Sequence, residues 1–160
     1  MAASVVWRPA APEHYPAIGN LTKTAEQLFL VYPRGHFPWD VAQLEELARK
    51  RLNLTIGVVD GEVAAFANLY NVQPGERAFI GNVVVAEQHR GRGVGRALVQ
   101  QMVAICEEQH RAQPHLSVFG YNAAAMLLYA DMGFEPYAVE PFQSLSGERV
   151  ALIHMRYRHH

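Results

Sequence analysis

The chain has 160 residues, half of them apolar and 18% charged, with a formal net charge of −1. That length supports one core burying roughly two thirds of the surface the unfolded chain exposes, and a single domain over residues 1–160 is expected. So even a charge balance argues against a nucleic-acid binder, which needs a broad basic face, and no stretch reaches the ~20 apolar residues of a membrane span.

In chain order, Met1-Ala2-Ala3-Ser4 shows no charged-then-apolar leader, and the expectation is a soluble, cytoplasmic protein. Val5 to Arg8 is a short strand candidate, and a helix is expected from about Pro12 to Leu30. Tyr32-Pro33-Arg34-Gly35-His36-Phe37-Pro38-Trp39 is too rich in proline to be regular. Asp40 then caps a helix through Leu44, Leu47 and Ala48 to about Leu52. Leu54 to Val59 and Val63 to Asn71 are strands flanking Asp60-Gly61, a hairpin signal. Gln73-Pro74-Gly75 turns the chain into a third strand, Ala78 to Val85, completing an antiparallel meander.

A helix follows to about Gln109. Its apolar stripe Val94, Leu98, Met102, Ile105 includes the lone cysteine, Cys106, which cannot form an internal disulfide and reads as a small core residue. Leu116 to Phe119 is a strand after Gln113-Pro114. Asn122 caps an alanine- and leucine-rich helix ending at Gly133, and two last strands, Phe134 to Val139 and Arg149 to Tyr157, flank the polar turn Ser144-Leu145-Ser146-Gly147. The eight histidines show no metal-ligand spacing and no metal is expected. His159-His160 match the remnant of an expression tag and are set aside. The order βααβββαβαββ predicts an α+β sheet with helices on both faces.

His89-Arg90-Gly91-Arg92-Gly93-Val94-Gly95-Arg96 lies between the apolar run Ile80-Gly81-Asn82-Val83-Val84-Val85 and the long helix, as strand, glycine-rich turn and helix N-terminus. Alternating glycines let the main chain turn with φ > 0 and bring N–H groups near an anion, and the first helical turn adds unpaired donors and positive dipole. With three arginines among them, the stretch reads as a pyrophosphate cradle. The dinucleotide pattern G-x-G-x-x-G fits Gly91 and Gly93 but needs glycine where Arg96 stands, and the Walker pattern needs G-K-[ST] where Gly95-Arg96-Ala97 stands. Arg90, Gly93 and Gly95 do meet [QR]-x-x-G-x-[GA]. In this loop the chain resembles the GNAT N-acetyltransferase superfamily, whose members hold the pyrophosphate of acetyl-CoA there. The resemblance implies acetyl-CoA as cosubstrate, bound by Arg90, Gly91, Arg92, Gly93, Val94, Gly95 and Arg96. It also implies the GNAT acyl-CoA N-acyltransferase fold, a mixed, mostly antiparallel twisted sheet of about six or seven strands.

Asn122-Ala123-Ala124-Ala125-Met126-Leu127-Leu128-Tyr129-Ala130-Asp131-Met132-Gly133-Phe134 resembles the second GNAT signature, N-x-x-A-x-x-L-Y-x-x-x-G-F. The two motifs and the element order cover about Leu54 to Phe134. Seven residues along a helix turn through about 700°, so Asn122 and Tyr129 share one face within ~20°, about 10 Å apart, with small Ala125 between them. A thin ligand such as the pantetheine arm of CoA can lie there, with Asn122 bonding its amides. The resemblance implies that Tyr129 protonates the departing thiolate, and that backbone N–H groups of Val83, Val84 and Val85 bind the acetyl carbonyl and pantetheine. The oxyanion of the tetrahedral intermediate needs such positioned donors.

Deprotonating the acceptor is a separate problem. A lysine amine near pKa 10.4 is only about 0.1% neutral at pH 7.4, a penalty of roughly 4 kcal/mol, whereas an α-amine near 7.7–8.0 is ~20–30% neutral. Many family members that acetylate protein N-termini carry a glutamate on the strand before the second motif, and by alignment with Asn122, Ser117 stands at that position here. Serine is no base unaided. Base action passes through water held by Ser117, Asn82 or Tyr70, or comes from His115 or Glu76, and the sequence does not choose among them. The resemblance places the acceptor against the segment between the first two helices and the meander. There Tyr32, His36, Phe37 and Trp39 supply aromatic walls and Arg34 a cation able to pair with a carboxylate; Tyr70, Asn82 and Ser117 complete the set. The expected activity is acetyl transfer to the primary amine of a small molecule, amino acid derivative or peptide, in a monomer or homodimer. The alternative is a non-catalytic acyl-CoA-binding sensor of the same fold, suggested by the missing strand carboxylate.

Overall fold

The computed structural model describes residues 4–158. Its elements run β1 (Val6–Pro9), α1 (Tyr15–Gly19), α2 (Ala25–Val31), α3 (Val41–Lys50), β2 (Leu52–Val59), β3 (Glu62–Gln73), β4 (Arg77–Val85), α4 (Val94–His110), β5 (Gln113–Phe119), α5 (Ala123–Met132), β6 (Phe134–Gln143) and β7 (Arg149–Tyr157). Met1 to Ala3 and His159-His160, on which the leader and tag readings rest, lie outside the described residues.

The helix expected from Pro12 to Leu30 is instead a 3-10 turn, α1 and α2. Two local features break it. Thr24 caps a fresh start, its side-chain oxygen accepting from the N–H of Gln27. Gly19 ends α1 where the chain presses on the carbonyl of Trp39, which a Cβ would meet at 2.1 Å, so no other residue fits there without a shift.

The strands form one seven-stranded sheet in the order β1-β2-β3-β4-β5-β7-β6. Every neighbouring pair is antiparallel except β4 and β5. A parallel pair needs a crossover, and α4 supplies it. The Asp60-Gly61 turn joins β2 to β3 with both residues at positive φ, +49° and +79°, as a two-residue type I′ hairpin requires.

Side chains alternate across β3. Phe66 points to the face covered by α1 and α3, with Ile18, Leu44, Leu47, Ile56 and Val84. Ala65, Ala67 and Leu69 point to the other, against Leu98, Val99, Met102 and Cys106 of α4. With both faces covered, Ala64 to Leu69 is buried without interruption, the pattern of a strand between two helical layers. Burial pushes the Cys106 thiol up to about 12, which keeps it protonated and unreactive as a core residue. Leu98 is fully buried, and Leu98→Ala is expected to cost about 2–5 kcal/mol, read as a lower denaturant midpoint at constant slope. No described helix is long and apolar enough to cross a membrane.

Candidate active site

The parallel pair at the centre of the sheet is incomplete. β4 and β5 pair from Arg77 opposite Gln113 to Ile80 opposite Leu116, after which Gly81–Val85 and Ser117–Phe119 continue as strands without pairing to each other. A bulge marks the point of divergence. Gly81 lies opposite Asn68 and Val84 opposite Phe66, so β4 carries one more residue than β3 between these pairs, which bends the strand and increases its twist. Asn82 takes the left-handed conformation there, φ +52°, which asparagine tolerates better than most residues. Its amide fixes the bulge: Nδ2 donates to the Val31 carbonyl at 2.7 Å, and Oδ1 accepts from Asn68 Nδ2 at 2.7 Å and Arg51 Nη1 at 2.8 Å.

The diverging strands open a cleft of about 760 Å³. Tyr32, Tyr70, Asn82, Val83, Ser117, Asn122, Ala125 and Tyr129 all line it, which brings together expected residues from five separate parts of the chain. The N–H of Ala86 bonds back to Ala64 on β3. Strand alternation then directs the backbone of Val84 to β3 and that of Val83 and Val85 to the opened edge. Of the three expected backbone ligands, Val84 is thus turned into the sheet.

Tyr129 is 7% exposed and packs edge-on against Phe134. Burial pushes its phenol up to about 12, because an apolar surrounding penalises the phenolate. Asn122 caps α5, its Oδ1 accepting from the N–H of Ala125 at 3.4 Å. That leaves Nδ2 as the group able to donate to a ligand lying past Ala125.

The glycine loop bears out the backbone reasoning in part. Gly91 and Gly93 have φ of +76° and +82°, and a Cβ on either would meet no atom within 4 Å. Conformation, not space, therefore asks for glycine at both. Gly95 is helical, and a Cβ there would make ordinary contacts of 3.7 Å with Val85 and 3.8 Å with Leu128, so alanine would fit. α4 begins at Val94 with Gly93 as its N-cap, so its first N–H groups have no intrahelical acceptor. The three arginines divide. Arg90 Nε donates to the Val85 carbonyl at 3.2 Å, Arg96 pairs with Asp131 of α5, and Arg92 is exposed.

Three expected acceptor residues lie elsewhere, and of these Phe37 is exposed and outside the cleft lining. Trp39 is 3% exposed and packs on Phe66 and Tyr32 in the core, and His36 is exposed in a loop whose backbone is held by Gln43. Neither is in the cleft lining. Proline-rich composition marked the segment as irregular but did not reveal which aromatics it turns inward. Arg34 does line the cleft, its guanidinium 5.9 Å from the Phe142 ring centroid.

The position beside Ser117 holds residues that the sequence did not single out. Ser117 on β5 lies directly opposite His154 on β7, and the Ser117 hydroxyl is 2.6 Å from His154 Nδ1. His154 Nε2 is 2.8 Å from Glu140 Oε1 on β6. Glu140 is two residues beyond Ala138, the partner of His154, which puts it diagonally adjacent on the same sheet face. Three neighbouring strands thus contribute a serine–histidine–glutamate row, and all three residues line the cleft. Tyr70 stands beside it: burial raises its phenol, and a hydrogen bond with Ser117 pulls the other way. His115 sits outside the cleft lining, its Nδ1 2.9 Å from the Tyr137 hydroxyl. Burial, then Arg77, Arg156 and His154, push it below the usual imidazole value. Glu76 is at the exposed β3–β4 turn, also away from the cleft.

A model of the acetyltransferase (GNAT) family matches residues 21–134. Streptothricin acetyltransferase of Streptomyces lavendulae is 34% identical over 89 residues, 56% of this chain but 47% of that protein, so the match spans under half of that relative's length. The [ribosomal protein bS18]-alanine N-acetyltransferase of Escherichia coli is 33% identical over 124 residues, 75% of this chain and 82% of its own. A crystal structure of the Escherichia coli ribosomal-protein alanine N-acetyltransferase superposes with a TM-score of 0.76 at 25% identity, covering 96% of this chain and 93% of that one.

Proposed function

The chain belongs to the acetyltransferase (GNAT) family, and from that premise we propose that it transfers the acetyl group of acetyl-CoA to a primary amine by direct attack on the thioester. The observation that carries this reading is a single cleft, opened where β4 and β5 part, that holds both a buried phenol and a hydrogen-bonded serine–histidine–glutamate row. A binding module has no need of either. The relatives are named for acceptors as different as streptothricin and the alanine of a ribosomal protein, which supports an amine acceptor of small-molecule or peptide origin.

The residues present fit the donor. Gly91 and Gly93 keep the turn before α4 free of side chains at positive φ, so its N–H groups and the α4 N-terminus suit a pyrophosphate. Val83 and Val85 offer N–H groups along the opened edge, Ala125 leaves room for a thin arm, and Asn122 Nδ2 can donate to its amides. Acetyl-CoA supplies the activated acyl group. Valine at position 93 would be strained at that φ, and Gly93→Val is expected to weaken acetyl-CoA binding about tenfold or more by calorimetry; an unchanged dissociation constant would remove the loop from the site.

The chain's own groups then handle the protons. With His154 Nε2–H donating to the Glu140 carboxylate, Nδ1 presents its lone pair to the Ser117 hydroxyl. Ser117 takes a proton from the acceptor amine as it passes its own to His154, and Glu140 stabilises the resulting imidazolium, the same logic as in a hydrolase triad. The freed amine nitrogen bonds the acetyl carbon, N–H groups of the β4 edge hold the oxyanion, and the C–S bond breaks as Tyr129 gives its proton to the leaving sulfur; the nitrogen sheds its second proton to solvent, from which Tyr129 is reprotonated. Its high pKa suits a group that must arrive protonated. A thiol-release screen with acetyl-CoA over amines, amino acids and short peptides tests the proposal. Thiol release that depends on an amine supports it; tight acetyl-CoA binding without release on a broad panel favours a sensor.

A further inference from the structure

Arg51 follows α3, and its guanidinium lines the cleft from the β3–β4 side. Its protein partners are all neutral. Nη1 donates to Asn68 Oδ1 at 3.1 Å and Asn82 Oδ1 at 2.8 Å, and the guanidinium carbon lies 4.4 Å from the Tyr70 ring centroid. Among the described residues no carboxylate forms an ion pair with it, and the hydrogen bonds it makes use Nη1 alone. Glu140, the carboxylate in the cleft lining, is already engaged by His154.

A guanidinium taken partly out of water is costly unless an anion compensates it. Burial does lower the Arg51 pKa, against the opposing pull of Tyr70 and Tyr32. Two amide oxygens and an aromatic face offset part of that cost, but Nε and Nη2 are the edge of the fork that matches a carboxylate in bidentate geometry. Arg34 adds a second cation to the same lining. Tyr70 lies between the two ends of this wall: Arg51 sits over its ring, and Ser117 lines the same cleft. An acceptor whose amine faces Ser117 therefore has Arg51 one phenol ring away, with apolar surface from Tyr70, Phe79 and Phe142 beside it.

We propose that Arg51 is a specificity residue that binds the carboxylate of the acceptor, and that the acceptor class is the small amino carboxylate with an apolar body rather than a peptide N-terminus, whose neighbouring carbonyl is an uncharged amide. This rests on the transferase reading above for the identity of the amine as nucleophile, but the carboxylate site itself can be measured without turnover.

The experiment compares leucine and phenylalanine with leucinamide, phenylalaninamide and the peptide Leu-Gly-Gly as acceptors, in the wild-type protein, Arg51→Gln and Arg51→Lys. The free acids are expected to be preferred in the wild type, with the acid-to-amide ratio of kcat/KM falling about 10- to 100-fold in Arg51→Gln, mainly through KM. Arg51→Lys should fall between. In a second arm, N-acetylleucine and N-acetylleucinamide are titrated into each protein saturated with CoA. The acid should bind more tightly to the wild type and lose that advantage in Arg51→Gln. If Arg51 only braces the Asn82 bulge, its substitution slows acid and amide equally and the binding difference stays, which overturns the proposal. Equal use and equal binding of acid and amide by the wild type also overturns it. Absence of turnover with every acceptor, alongside an Arg51-dependent binding difference, would defeat the transferase reading and leave the carboxylate site standing.

Discussion

Replacing His154 with Gln is expected to lower kcat/KM for the amine by about 10²- to 10⁴-fold, the usual contribution of general base catalysis, while acetyl-CoA binds as before. Glutamine can bond Ser117 but cannot take its proton. Ser117→Ala removes the link between amine and imidazole and should cost a similar factor. Because the two residues act as one unit, the double variant should be little worse than either alone. The pH profile separates this role from a packing role. kcat/KM is compared across pH in the wild type and in His154→Gln, and a base role requires the two profiles to differ in shape as well as in height. Glu140→Gln keeps the shape of the site and removes the charge that stabilises the imidazolium, so it should reduce the rate less. A His154→Gln protein with an unchanged rate and profile would take the row out of the chemistry.

Tyr129→Phe is expected to lower kcat by about one to three orders of magnitude with little change in acetyl-CoA affinity. The phenol is buried against Phe134 and its pKa is pushed up to about 12. It therefore stays protonated through the neutral range, as an acid must, and Phe fills the same space, so stability should hold. The effect should also depend on the leaving group. A CoA analogue whose thiol is more acidic needs less protonation, and the penalty for Tyr129→Phe should shrink with it. A uniform penalty would point to positioning, and no penalty would remove Tyr129 from the reaction.

The proposed donor half of the site is readable in the chain because local rules write its geometry. Gly91 and Gly93 sit where the backbone needs positive φ, and the helical repeat alone puts Asn122, Ala125 and Tyr129 on a common face, where the structure has them lining one cleft. Hairpin chemistry likewise placed β2 and β3 around Asp60-Gly61. The acceptor half depends on distant pairings instead. Ser117, His154 and Glu140 meet because β7 inserts between β5 and β6 and because Ser117 lies opposite His154; a register slip of one residue would turn one of them to the other face. Nothing local to His154 marks this. Arg51 is equally silent, since a cation after Arg49-Lys50 at a helix end reads as ordinary solvated charge near the C-terminal dipole. Trp39 differs from expectation for the converse reason: aromatic residues in a proline-rich loop serve a pocket or a core equally well, and Phe66 supplies the core partner.

Direct observation of the acetyl group tests the central claim. Protein mixed with acetyl-CoA labelled with ¹³C at the acetyl carbonyl and with an excess of leucine can be followed by NMR. The label is expected to move from thioester to amide in step with thiol release, with Tyr129→Phe and His154→Gln both slowing the transfer. A label that stays on the thioester while the protein holds acetyl-CoA at saturation, with leucine and with every amine of the screen, would contradict the claim.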